Sequence, residues 1–257
     1  MRTRFAPRAD GANIAVASDV PTGSGLSSSA SLEVSIATAL EHLWGLSIDP
    51  VEKAKACQSA EHKYAGAPCG LMDQLVSVKG QRGCAIRIDC RDATTVAVPM
   101  PPADIAQFLI FDSSVAHAND DGGYAARRAA CESALPKLGV KALRDVTIAQ
   151  LNDLPKDLSP VEIDAVRHVV TENARVEAFT SLLPKGRLAE AGLLMNESHR
   201  SLSETYRVSC PEVDTLAEIV RSQPGVYGAR MTGGGFGGWI VSLVRADASD
   251  RVVSSVR

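Results

Sequence analysis

The chain has 257 residues, of which 45% are hydrophobic and 22% charged, and a formal net charge of −3. That length suffices for one large or two small domains with a sizeable core, and the scattered Lys and Arg exclude a nucleic-acid face or a polybasic membrane patch. No apolar run approaches the roughly 18 residues of a membrane span. The opening MRTRFAPRADGAN lacks the apolar stretch of a secretory leader. The six cysteines contain no C-x-x-C pair and the five histidines show no ligand spacing. Reduced thiols in a cytoplasm are therefore expected, without disulfides or a zinc site.

Taken in order, Ile14 and Val16 alternate with small residues and predict a strand over 12–20. A Gly-Ser loop follows, PTGSGLSSSAS. Leu32, Ile36, Ala39, Leu40 and Leu43 then recur at helical spacing over about 29–44, with Gly45 at the left-handed C-terminal position. Asp49-Pro50-Val51-Glu52 has the pattern of a capping box and starts a helix expected to reach Tyr64 and stop near Gly66. CGLMDQLVSVKG (69–80) predicts a short helix with Leu71, Leu75 and Val78 inward. Two strands follow around Cys84–Cys90 and Val96–Val98. PMPP at 99–102 breaks any regular element and marks a boundary, giving domains 1–102 and 103–257.

Beyond it, QFLIFDSS (107–114) reads as a buried strand. Helices are expected over about 122–138, 147–152, 160–182, 186–204 and 211–222, the third started by a second box, Ser159-Pro160-Val161-Glu162. GARMTGGGFGGWIVSLV reads as strand, glycine turn, strand. This irregular alternation fits an α+β fold better than a doubly wound sheet.

The Gly-Ser loop has two physical readings. A helix N-terminus carries unpaired N–H groups and partial positive charge, and Gly23 and Gly25 would let it approach a phosphate closely. The other reading is a plain turn. No Lys stands where a Walker motif needs one, and Ser28 stands where a dinucleotide fingerprint needs its third Gly. Glu61 by itself reads as a solvated charge on a helix face. Asp73, between Met72 and Leu75, is either a first-turn charge facing the helix dipole or a functional group.

PTGSGLSSSAS resembles the nucleotide loop of the GHMP small-molecule kinases. CGLMDQL and MTGGGFGG follow in the expected order and resemble galactokinase segments, as do GGYAARRAACE, ALRDVT and VRHVVTENARV between them. The resemblance implies a two-lobed α+β fold with a ferredoxin-like C-terminal lobe. It implies ATP-dependent phosphorylation of galactose at its anomeric hydroxyl. Gly23, Ser24, Gly25, Leu26, Ser27, Ser28 and Ser29 would wrap the triphosphate. Ser29 and Glu61 would hold Mg2+, Asp73 would be the catalytic base, and Gly70, Asp73 and Tyr124 would meet the sugar. Tyr124 also fits simple packing at a helix start, and Gly233 to Gly238 a structural turn. A monomer acting on ATP and galactose is expected, with no nucleic-acid or membrane partner. Alternatives are a related sugar 1-kinase, a non-catalytic ATP- and sugar-binding sensor, or an inactive fragment. The family pattern starts only near Ile14, without the opening Arg-x-Asn and Glu-His-Thr-Asp-Tyr stretches of galactokinases. This implies a chain truncated at both ends, an incomplete N-terminal lobe, and weak or no turnover of galactose by the chain alone.

Overall fold

The computed structural model describes residues 2–6, 11–20, 27–66, 69–115 and 123–256, with backbone alone for Arg2, Thr3 and Tyr124. The chain divides into two compact units, Met1–Met100 and Pro101–Arg257.

The first unit holds helices α1 (Arg2–Phe5), α2 (Ser28–Leu43), α3 (Pro50–Ala60) and α4 (Met72–Lys79), then the hairpin β1 (Cys84–Asp89) and β2 (Thr94–Pro99). Helices α2, α3 and α4 pack on one another. Their cores are small: Val34, Ala37 and Cys57 in one cluster, Ala54, Leu75 and Ala93 in another. Leu71, Leu75 and Val78 face inward as the spacing predicts. In the hairpin, Ile86 pairs with Ala97 and Ala85 with Val98. Directly opposed residues share a face, so Ile86 and Ile88 lie on one side and Val96 and Val98 on the other.

Three local expectations change. Residues 11–20 carry no strand, and Ile14 and Val16 are about half exposed. Alternation makes a strand only where a neighbour completes the ladder, and no described residue does so. At α3 the box is half made: the Asp49 side chain accepts from the amides of Val51 and Glu52 at 2.9 and 3.1 Å. Glu52 instead turns to Arg4 at 2.5 Å and Lys55 at 3.1 Å, because two cations outbid one backbone N–H. Finally, the helix does not continue regularly to Tyr64. Residues Glu61–Ala65 form a π turn ended by Gly66 at φ 69.

The second unit runs β3 (Ala106–Asp112), α5 (Gly123–Leu138), α6 (Pro160–Leu182), α7 (Leu188–Arg200), α8 (Pro211–Ser222), β4 (Val226–Thr232), β5 (Trp239–Arg245) and α9 (Ser249–Ser255). Residues 147–152, expected as a short helix, contain a 3-10 turn, Ala149–Asn152, and α7 passes into a π turn at Ser201–Thr205. The strands form one antiparallel sheet in the order β3-β5-β4. With four helices between the first strand and the second, the course is strand, helices, strand, strand, helix, in keeping with a ferredoxin-like lobe. Ser159 and Glu162 complete the capping box of α6 in full.

Strand β4 is a sheet edge, and α7 covers it. The α7 side chains Asn196 and His199 accept from the edge amides of Ala229 and Met231 at 3.0 and 3.1 Å. These bonds occupy groups that an open edge would leave unpaired. The approach is close enough that a Cβ at Gly192 would lie 2.1 Å from the Tyr227 carbonyl oxygen. Because His199 Nδ1 accepts the hydrogen bond from the Met231 N–H, the ring is neutral with its hydrogen on Nε2, 3.3 Å from Asp214. Burial, the largest influence, pushes its pKa down to about 4.

Candidate active site

Of the sequence's candidate residues in the first unit, Ser29 and Glu61 are brought into contact, at the start of α2 and the end of α3. Ser27 begins α2 in the left-handed region, at φ 56 and ψ 40, and no side chain caps the first turn. No acid stands in that turn either, so the positive end of the helix is not neutralised from within. Ser28 and Ser29 follow. Gly23, Ser24, Gly25 and Leu26 lie outside the described residues.

Ser29 donates its hydroxyl to Glu61 Oε1 at 2.7 Å. Glu61 opens the π turn at the end of α3 and is only 8% exposed, which rules out the solvated-face reading. Its position continues the buried side of α3, four residues after Cys57. Its second oxygen, Oε2, accepts from Gln74 Nε2 at 2.6 Å and from the Cys69 thiol at 3.2 Å. Gln74 also reaches Glu33 Oε2 at 3.3 Å. Glu33 lies one helical turn after Ser29 on the same face of α2. Burial, the largest influence, lifts the Glu33 carboxyl above its usual range; the Gln74 hydrogen bond opposes this and the nearby Glu61 charge adds to it.

The loop before α4 is gripped from α3 and its π turn. Gln58 Nε2 donates to the Cys69 carbonyl at 3.2 Å, and His62 Nε2 lies 2.8 Å from the same oxygen. Burial drives the Cys69 thiol up to about 11, and the hydrogen bond to Glu61 adds to the shift, so the group stays a protonated donor. All six cysteines are free.

Asp73 occupies the first turn of α4, next to Gln74, and is partly buried. Among the described residues nothing hydrogen-bonds or ion-pairs with it. Gly70 is exposed, with open space where a Cβ would stand. Tyr124 belongs to the second unit, in the first turn of α5; its side chain lies outside the described residues. The β4–β5 turn also belongs to the second unit, and there Gly233, Gly235, Phe236, Gly237 and Gly238 all have positive φ. A Cβ at Gly235 would lie 2.3 Å from the Val208 carbonyl oxygen, so the turn needs glycine there for packing alone.

Sequence reasoning picked out Ser29, Glu61 and Asp73 but missed Glu33, Cys69, Gln58, His62 and Gln74. A signal existed for two of these. Glu33 shares the stripe of Ala30, Val34 and Ala37, and Gln74 that of Leu71, Leu75 and Val78. A polar residue at a core-facing position is the informative exception.

Comparison with known proteins adds three observations. Residues 1–81 match the family described as GHMP kinases N terminal domain, and residues 179–257 the one described as GHMP kinases C terminal. The chain is 46% identical over 248 residues to a galactokinase of Bos taurus and 44% identical over 247 residues to one of Homo sapiens, matching 96% of its own length in each case. A crystal structure of Lactococcus lactis galactokinase complexed with galactose superposes with a TM-score of 0.85 at 33% identity, covering 93% of this chain and 62% of that one. The chain spans 63% of the length of the two curated relatives.

Proposed function

This chain belongs to the GHMP kinase family, and from that premise we propose that it carries the phosphoryl-transfer chemistry of a galactokinase: ATP and galactose give galactose 1-phosphate and ADP. One observation supports this most. Glu61 is a buried carboxylate met only by neutral donors among the described residues, Ser29, Gln74 and Cys69. Buried charges are otherwise paired or bound to a metal. A serine hydroxyl and a carboxylate 2.7 Å apart are the hard oxygen donors that magnesium takes, alongside phosphate and water. These residues therefore fit Mg2+, held by Ser29 and Glu61.

In this reading the uncapped start of α2 binds the nucleotide's phosphates through backbone N–H groups and the helix dipole. Gly23, Ser24, Gly25 and Leu26 belong to that cradle, with Ser27 and Ser28. Held by Ser29 and Glu61, magnesium would supply positive charge against the transferring phosphoryl group. Asp73, which has no hydrogen-bond or ion-pair partner among the described residues, accepts the proton of the sugar's anomeric hydroxyl as that hydroxyl's oxygen attacks the γ-phosphorus and ADP leaves. Gly70 leaves room for the sugar, and Tyr124 is assigned to it by the galactokinase pattern. Phosphoryl transfer asks chiefly for positioning and charge stabilisation, which such an arrangement supplies. Six unpaired thiols suit a reducing cytoplasm, and among the described residues no helix is long and apolar enough to cross a membrane.

A coupled assay of ADP release, with and without galactose, tests the reading, together with calorimetry of ATP binding. Sugar-dependent release supports it. Binding of both ligands without release assigns the chain to a non-catalytic sensor, and absence of ATP binding rejects the nucleotide site altogether.

A further inference from the structure

Gln74 is wholly buried, yet only half of its amide is used. Helix α4 presents Leu71, Leu75 and Val78 to the core, and Gln74 stands on that same stripe. Its Nε2 points at Glu61 Oε2, 2.6 Å away, and at Glu33 Oε2, 3.3 Å away. Its Oε1 is buried with no hydrogen-bond partner among the described residues. The orientation is fixed by chemistry, since ionised carboxylates only accept and the amide nitrogen only donates. For packing alone, a leucine or methionine would fill the position without leaving a carbonyl oxygen unpaired.

The donor half has a defined effect on Glu61. One carboxylate oxygen faces Gln74 and Cys69; the other is thereby left to Ser29. Rotation of the carboxylate would break both contacts at once. Glu61 also sits in a π turn, where the backbone departs from the regular helix and re-aims the side chains it carries. An added constraint from a neighbouring helix is what such a side chain needs to keep one orientation. Helix α4 supplies it from the residue directly after Asp73.

We propose that Gln74 is a positioning residue: its amide N–H groups hold Glu61 with Oε1 turned to the Ser29 hydroxyl, keeping those two oxygens set as a pair for a magnesium-bound nucleotide. This rests on the magnesium-nucleotide reading above. It goes beyond that reading in tying the metal carboxylate to the helix of the base through one side chain. Outer-shell partners of metal ligands act in this way elsewhere, by orienting the ligand.

The test uses the whole chain and the variants Gln74→Met and Gln74→Glu. ATP affinity is measured by calorimetry in magnesium and again in EDTA, and the ratio of the two is the readout. Gln74→Met keeps the volume and removes the donors. It is expected to lower the ratio by ~10–100-fold, with the EDTA affinity within about twofold of the parent and the melting temperature retained. Gln74→Glu keeps the shape but opposes a third carboxylate to Glu61. It is expected to lower the ratio as well, and it serves if Gln74→Met does not fold. A ratio unchanged in the folded variants overturns the proposal, as does a parallel loss in magnesium and EDTA, which would mark a purely structural role. If the parent chain itself gains nothing from magnesium, the metal reading falls and this proposal with it. That result is read from the parent alone, so the two failures are distinct.

Discussion

Glu61 and Glu172 are both largely buried acids on helices, one in each unit, and their partners differ. Glu172, on α6, is met by Arg175 at 2.8 Å, Arg230 at 3.0 Å and the Ser198 hydroxyl at 2.5 Å. Two guanidinium groups close its charge, and the contacts tie α6 to α7 and to β4. These arginines hold its carboxyl below the usual range against the opposing and largest influence, burial. Glu61 receives a hydroxyl, an amide and a thiol, and no cation among the described residues. The first network is complete as it stands; the second leaves an anionic position for something to fill. The surroundings differ likewise. The second unit buries Val213, Val220, Met231, Ile240 and Leu243 completely, whereas among the described residues of the first unit only Leu75 and Gln74 are of that class. A buried ion network is therefore evidence of function only when its charges do not close.

The contrast can be broken at several points. The largest effect is expected at Asp73. Asp73→Asn should reduce sugar-dependent ADP release by ~10²–10⁴-fold, the usual worth of a general base, with ATP affinity by calorimetry retained. Turnover close to the parent's would remove Asp73 from the chemistry. Next is Glu172→Ala, which strands Arg175 and Arg230; by the usual cost of breaking a buried pair it should destabilise the second unit by ~3–5 kcal/mol. The chain has two tryptophans, Trp44 and Trp239, one in each unit. A Trp44→Phe background therefore reports the second unit alone in denaturant titrations. An unaltered midpoint would show that the network contributes nothing net.

Acid should also act on the second unit. Burial pushes His168 and His199 from 6.5 down to about 4. Between those values the unfolded chain binds protons that the folded one refuses, so stability falls as pH drops from 6.5 towards 4. The slope should be ~1.4 kcal/mol per pH unit for each histidine. Trp239 fluorescence at a series of pH values measures it, and a flat profile across that window would contradict the assignment of neutral, buried rings.

The smallest effects separate the two helix starts. Ser159→Ala should cost ~1 kcal/mol, as N-cap losses do. Glu52→Ala should change stability by less than ~0.5 kcal/mol, since its contacts with Arg4 and Lys55 are exposed. Equal losses would mean that Glu52 also serves its helix as a cap.

The helices from Ser28 onward were legible because helical periodicity and punctuation agree: Pro at the first position of α3, α6 and α8, and Gly45 just past α2. The stripe read for α2 was the wrong one, since Leu32 and Leu43 are exposed and the helix buries Ala30, Val34 and Ala37 against its neighbours. The failures share one cause. A box at Asp49 and a strand at 12–20 are local patterns whose completion depends on a distant group, Arg4 in one case and a neighbouring strand in the other. Among the candidate residues, Ser29 and Asp73 were picked out because they stand in ordered motifs, and Glu61 by the family match twelve positions before Asp73. Glu33, Cys69 and Gln74 were not, although Glu33 and Gln74 interrupt an apolar stripe.

By itself, then, the sequence determined most of the helices, the two strands of the hairpin and three candidate polar residues, since periodicity, caps and motifs act over a few residues. Only the tertiary structure decided that three helices each bring one polar residue to the same point, Glu33, Glu61 and Gln74, and that Glu61 finds neutral donors there where Glu172 finds arginines. Apart from Cys69 and Arg175, which are near neighbours in sequence, those outcomes depend on contacts across 13 to 58 positions of chain, a distance over which local pattern carries no information about which side chains will meet.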